Sequence, residues 1–169
     1  MQTKLIGLSI AALAFGMPSA ARADASFLQR FDGGWQGSGT VQRDVDPSPR
    51  RVSCRVTGSR PTPNRVSITG TCRAAVIVTR RIGADIRYDP ASKRFTGTYT
   101  GSTKGPAQVS GTQRGDALVL TMIYAVPIYG DRNATMTIRN AGNGQFSLVV
   151  TDKVDGADKQ TSNVSFSKS

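Results

Sequence analysis

The chain contains no histidine and no glutamate, and every one of its 11 acidic residues is an aspartate. Histidine is the side chain that titrates near neutral pH, and histidine and glutamate carry much of biological acid–base catalysis. An enzyme built here would have to work with Asp, Lys or Tyr. No G-x-S-x-G elbow and no Walker-type phosphate loop occur. We therefore read the protein as a non-enzyme.

Metal chemistry is also poorly served. Two thiols, Cys54 and Cys72, with no histidine make a weak zinc site. Asp44-x-Asp46 and the Asp152/Asp155/Asp158 set lack the acidic twelfth position of a calcium-binding EF-hand and read as Asp-rich turns. Gly101-Ser102-Thr103-Lys104-Gly105 reads as a Gly-rich turn between strands, and the sequons at Asn133 and Asn163 as chance matches. No metal and no cofactor is expected.

Long apolar runs are scarce too. The one present, Leu5 to Met17, follows Lys4 and precedes Ala21-Arg22-Ala23, an A-x-A cleavage pattern. Its length suits an export signal over 1–23 and is too short for a transmembrane span. With that signal removed, no membrane-crossing segment is expected. The remainder, 24–169, has the size of one domain, placed in the periplasm or outside the cell. In such a compartment, Cys54 and Cys72 most simply form one disulfide.

What the chain has in excess is positive charge: 22 Lys and Arg give a formal net charge of +11, and only Lys4 and Arg22 belong to the leader. This favours an anionic partner such as a phosphate, a lipid headgroup or an acidic polymer. A solvated, solubilising surface is the plainer alternative. Aromatics are 7% of residues and few stand among the arginines, so base stacking is poorly supplied and nucleic acid is not expected.

Helical periodicity is nearly absent, whereas period-two alternation recurs between Gly, Pro, Asn and Asp breaks. Ten strands follow: Trp35–Val41, Arg51–Thr57, Arg65–Arg73, Ala84–Tyr88, Arg94–Gly101, Ala107–Gln113, Ala117–Tyr124, Ala134–Asn140, Gln145–Thr151 and Thr161–Ser167. Each has a dry face and a wet one, as in an antiparallel sheet. If the second and third form a hairpin about Pro61–Asn64, Cys54 falls opposite Cys72 and Val56 opposite Gly70, all on the dry face. The predicted fold is all-β, an up-and-down antiparallel barrel of about ten strands. Closure removes both sheet edges.

A meander puts alternate connections at opposite ends. One end receives 42–50, 74–83, 102–106, 125–133 and 152–160, which look long and varied. The other receives 58–64, 89–93, 114–116 and 141–144, mostly tight turns. The segment 74–83 is read as a loop or lid. An additional strand or a short helix are the alternatives. At the tight end, Ser26 to Phe31 reads as a helical turn capped by Ser26. Its Phe27 and Phe31, together with Trp35 on the first strand, would plug the barrel base.

A helical turn followed by Gly33-Gly34-Trp35 on the first strand resembles the calycin superfamily of lipocalins, fatty-acid-binding proteins and avidins, and the resemblance implies a barrel. In lipocalins an arginine from late in the chain packs on that Trp. Here no Arg lies beyond Arg139, and the late cations are lysines, Lys159 and Lys168 among them. The run "FDGGWQGSGTV…SCRV…TCRA…RRIGADIRYDPASKRFTGTYTGS" also resembles small exported proteins of alphaproteobacteria, which implies the same compartment.

Two constellations bear on function. The inward set Trp35, Tyr88, Phe95, Tyr99, Met122, Tyr124, Met136 and Phe146 fits either a filled core or a ligand cavity. Inward Gly37, Gly39, Gly70, Gly97 and Gly111 lean towards space. At the elaborated end, Val76, Ile77, Val126, Pro127, Ile128 and Tyr129 stand with Arg43, Arg50, Arg80, Arg81 and Arg132, which is either a self-packed lid or a rim for an amphipathic anion. The expectation is a binding protein for a small amphipathic or anionic molecule. Arg80, Arg81 and Arg132 would attract the anion; Tyr124, Tyr129, Met122 and Tyr99 would contact the apolar part. The alternative is an envelope module that binds a protein or an anionic polymer through outward Arg51, Arg55, Arg65, Arg73 and Arg87.

Overall fold

The alternation that marks ten strands also decides which side chains meet inside. In the computed structural model, residues 23–74 and 78–169 are described. Helix α1 (Ala23–Gln29) precedes β1 (Gly33–Val41), β2 (Arg50–Thr62), β3 (Arg65–Ala74), β4 (Val78–Asp89) and β5 (Arg94–Thr100). Then come β6 (Ala107–Arg114), β7 (Ala117–Ile128), β8 (Asp131–Arg139), β9 (Gln145–Val154) and β10 (Ala157–Lys168). The strands form a closed antiparallel barrel in chain order, with β10 returning to β1. The seam runs from Trp35 opposite Lys168 to Val41 opposite Ser162. No helix among the described residues is long and apolar enough to cross a membrane. The expected signal at 1–23 falls, but for Ala23, outside the described residues.

The hairpin register holds: Cys54 faces Cys72 and Val56 faces Gly70. The two cysteines form a disulfide with their Cα atoms 4.0 Å apart.

The floor is built from α1 and four aromatic rings of the strands and the turn before them. Phe27, Phe31 and Trp35 are buried. Phe31 meets Phe27 and Phe146 edge-on, each at 5.4 Å between ring centres. Trp35 meets Phe146 at 4.9 Å, and Phe146 stacks on Phe166 at 4.4 Å. Such pairs add to the burial of large apolar surface. The indole Nε1 donates to the Phe31 carbonyl at 2.9 Å, so the buried Trp leaves no donor unpaired. Lys168 lies over the indole, its Nζ 5.6 Å from the ring centre, within cation–π range. A second latch closes the base: Arg30 donates to the Asn140 carbonyl at 2.7 Å, and Asn140 Nδ2 to the Arg30 carbonyl at 3.1 Å.

Several expectations need correction. The helix starts at Ala23, so Ser26 lies inside it rather than at its cap. Of the segment 74–83, Ala74 and residues 78–83 are strand and not lid: β3 runs to Ala74 and β4 starts at Val78, paired residue for residue, with 75–77 outside the described residues. The count of strands stays at ten and the ends keep their order. The spans 125–133 and 152–160 shrink to two-residue turns, Tyr129-Gly130 and Asp155-Gly156, with all four residues at positive φ. That conformation matches the twist of a tight hairpin. Pro127 and the charged residues of 152–160 conceal strand from a pattern based on hydrophobicity. Nor do the inward glycines supply empty space. A Cβ at Gly37 would sit 2.4 Å from the Phe166 ring, and one at Gly70 would sit 2.1 Å from the Arg55 carbonyl oxygen. They allow close approach of neighbours in a sharply bent sheet.

Candidate functional site

Above the aromatic floor the barrel is not full. A cavity of about 220 Å³ opens at the end opposite α1. Its lower wall is apolar, with Phe166, Leu148, Met122 and Val164, and the Cys54–Cys72 bridge forms part of one side. Ten strands enclose more interior than these side chains fill, whereas about eight strands leave just enough for side chains.

The polar groups gather near the mouth. Asp152 continues the inward series Phe146, Leu148, Val150 and is only 3% exposed. Tyr124 Oη donates to its Oδ1 at 2.9 Å, and the Thr161 hydroxyl donates to Oδ2. Thr161 reaches inward because the β9–β10 register shifts between Gln160 and Ser162. A bulge of this kind re-aims one side chain. No cation accompanies Asp152 among the described ion pairs. Burial raises its pKa above the usual carboxylate value; the two hydroxyls oppose that shift, and the Asp131 charge adds to it. Tyr124 is driven well above the usual phenol range by burial and then by the Asp152 charge. Burial alone pushes Tyr99 up to about 12. Tyr129 is also pushed up to about 12, by burial first and then by nearby aspartates. All three phenols are neutral donors at physiological pH.

A second buried aspartate stands in the loop between β1 and β2. Asp46 accepts from Arg43 Nε at 2.7 Å and pairs with Arg50 at 2.8 Å. The Arg43 hydrogen bond leads in holding its carboxyl far below the ordinary range. The loop is tied across the mouth by Tyr129, whose hydroxyl donates to the Gln42 carbonyl at 2.8 Å. Gln42 Oε1 is buried without a partner. Lys104 pairs with Asp44 at 2.9 Å.

The expected ligand residues divide. Arg80, Tyr99, Met122, Tyr124 and Tyr129 all line the cavity. Arg81 does not: it follows Arg80 on a strand, faces the other way, and lines a groove on the outer wall. Arg132 is also absent from the wall. Its Nε donates to the Tyr124 carbonyl at 2.7 Å, where the β7–β8 ladder breaks between Ile123 and Ile128. Val76 and Ile77 lie outside the described residues. Of the mouth arginines, Arg43 and Arg50 are held by Asp46, which leaves Arg80 as the cavity cation with no ion pair among the described residues. Asp152 and Thr161 are the residues that pattern reading passed over. The inward parity of β9 pointed to Asp152, but the bulge that turns Thr161 left no mark in residue type.

The chain is thus a closed ten-stranded antiparallel barrel, stoppered at one end and hollow at the other. No family model matches it, and no curated protein matches its sequence. Among solved structures it is similar to the crystal structure of Rv2717c from M. tuberculosis, with a TM-score of 0.64 at 14% identity, over 87% of this chain and 98% of that one. At that identity the likeness concerns the fold alone.

Proposed function

We propose that the protein is an exported binding protein of calycin type that holds a small amphipathic molecule at the barrel mouth. The observation that supports this reading is the open cavity of about 220 Å³ with an apolar lower wall and hydroxyl and carboxylate groups confined to its upper part. Drug-sized sites run to ~300–1,000 Å³, so the ligand is small. Its apolar part would lie on Met122, Leu148 and Phe166. Its polar end would meet Tyr99, the Tyr124–Asp152 pair and Arg80. With Arg43 and Arg50 committed to Asp46, and Asp152 inside, the lining suits a neutral or hydrogen-bond-donating head better than a strongly anionic one. The disulfide and the absence of a long apolar helix among the described residues are compatible with export.

The test is uptake of a neutral apolar dye, N-phenyl-1-naphthylamine, followed by fluorescence. Leu148→Trp places an indole in the cavity. Dye uptake should fall at least tenfold while far-UV circular dichroism and cooperative unfolding persist. Equal uptake by a folded Leu148→Trp variant would sink the reading.

A further inference from the structure

The outside of the barrel is as uneven as the inside. On β1, β2 and β3 the outward residues are hydroxyls, amides and arginines, with no carboxylate: Gln36, Ser38 and Thr40, then Arg51, Ser53 and Arg55, then Thr69, Thr71 and Arg73. β4 adds outward Arg81 and Arg87, with Asp85 between them. Asp85 is already engaged: Arg65 Nε and its terminal nitrogen reach it at 2.9 and 2.7 Å. Arg51, Arg55, Arg73, Arg81 and Arg87 are all exposed, and none has an ion pair among the described residues. The far wall differs. Outward positions in the middle of β7, β8 and β9 are Val119, Thr121, Thr135, Thr137, Ser147 and Val149, without charge.

Register fixes the spacing of these cations. Arg55 lies opposite Thr71, and Thr71 opposite Arg81, so the two arginines share one row across three strands. Strand spacing puts their Cα atoms roughly 10 Å apart, and the Cα of Arg51 stands about 13 Å from that of Arg55 along β2. Arg73, opposite Ser53, fills the interval. Beside them an open groove on the same wall is lined by Thr69, Thr71, Thr98, Thr100 and Arg81.

We infer that this wall binds a linear anionic polysaccharide. Separate cations rooted at these backbone intervals match a chain that carries an acidic group on successive units, and the threonine hydroxyls beside Arg81 match its hydroxyls. Among the described residues, no exposed large apolar side chain stands at these outward positions: Val45 lies in the β1–β2 loop, Val78 lines the cavity mouth at the start of β4, and Ile123 and Val126 are on β7. These outward positions therefore offer no apolar side chain to insert into a bilayer. No outward aromatic residue stands among the arginines, so nothing stacks on a base. The inference is independent of what the cavity holds.

The test compares the full chain with Arg55→Gln/Arg81→Gln and with Arg114→Gln/Lys159→Gln. The two pairs of exposed cations lose equal charge, and only the first lies on this wall. Binding to heparin, to duplex DNA and to phosphatidylglycerol vesicles is measured across a salt series. Heparin binding should weaken steeply as salt rises, fall roughly five- to tenfold further in the first variant, and hold in the second. Equal losses in both variants would reduce the effect to net charge and overturn the assignment. So would no heparin binding at low salt, or tighter binding of duplex or vesicle than of heparin.

Discussion

The two ends of the barrel use buried groups in opposite ways. At the floor, Phe27, Phe31, Trp35, Phe146 and Phe166 fill the space, and the single polar hydrogen of the indole has a partner within its own turn. At the mouth, space is left over and a carboxylate is buried beside it with hydroxyls instead of a cation. The floor maximises apolar contact. The mouth gives up contact to present chemistry. Even the two buried aspartates of the mouth differ. Asp46, between Arg43 and Arg50, is held as an anion; Asp152 has only the hydroxyls of Tyr124 and Thr161 to favour its charged form, and burial outweighs them.

This contrast can be attacked from the floor upward. Trp35→Ala should have the largest effect, a loss of about 3–5 kcal/mol, because a large aromatic is removed from a site whose neighbours are rings held in place by α1. Urea unfolding measures it, and a loss under about 1 kcal/mol would mean that the stopper is not what holds the base together. Tyr124→Phe at the mouth should cost less, about 1–3 kcal/mol, since it strips Asp152 of one donor while leaving the packing of the ring. Its signature is a further rise in the Asp152 pKa, visible by carboxyl-detected NMR titration.

The smallest effect, and the most specific, is in pH dependence. Asp152 has a folded pKa above its unfolded one, so the folded state holds its proton longer. Its contribution to stability is present below the ordinary carboxylate pKa and is lost as pH rises through the raised value. The Tm of Asp152→Asn should therefore gain on that of the wild type as pH rises from about 4. Asp46 has the opposite sign: its contribution is present above the unfolded pKa and lost as pH falls. Asp46→Asn should be less stable than the wild type at neutral pH, and the gap should close in acid. Parallel pH profiles for the two variants would dissolve the distinction between the two carboxylates.

Much of the barrel was legible because period two is a strong signal. It located part of every strand, brought Cys54 opposite Cys72, and put Trp35 with Phe27 and Phe31 at the base. It weakened at strand ends near the mouth, where charge and proline dilute alternation. That is why 74–83 looked like a loop, and why Arg80 and Arg81 were taken for partners. On a strand, consecutive residues cannot share a face, so only one of them reaches the cavity. Asp152 lay one position past the expected end of its strand. Thr161 was out of reach in another sense: a bulge shifts parity by one, and no residue type announces it. The cavity itself came from strand number and not from the glycines that suggested it.

The seam between β1 and β10 has a consequence for how the molecule comes into being. Trp35 pairs with Lys168, so the first and last strands must find each other across nearly the whole chain. Contacts this distant in sequence form slowly. Until β10 meets β1, those two strands present bare backbone to any passing chain, and the wall around the chamber is open. The chamber therefore depends on the one seam that joins the two ends of the described chain.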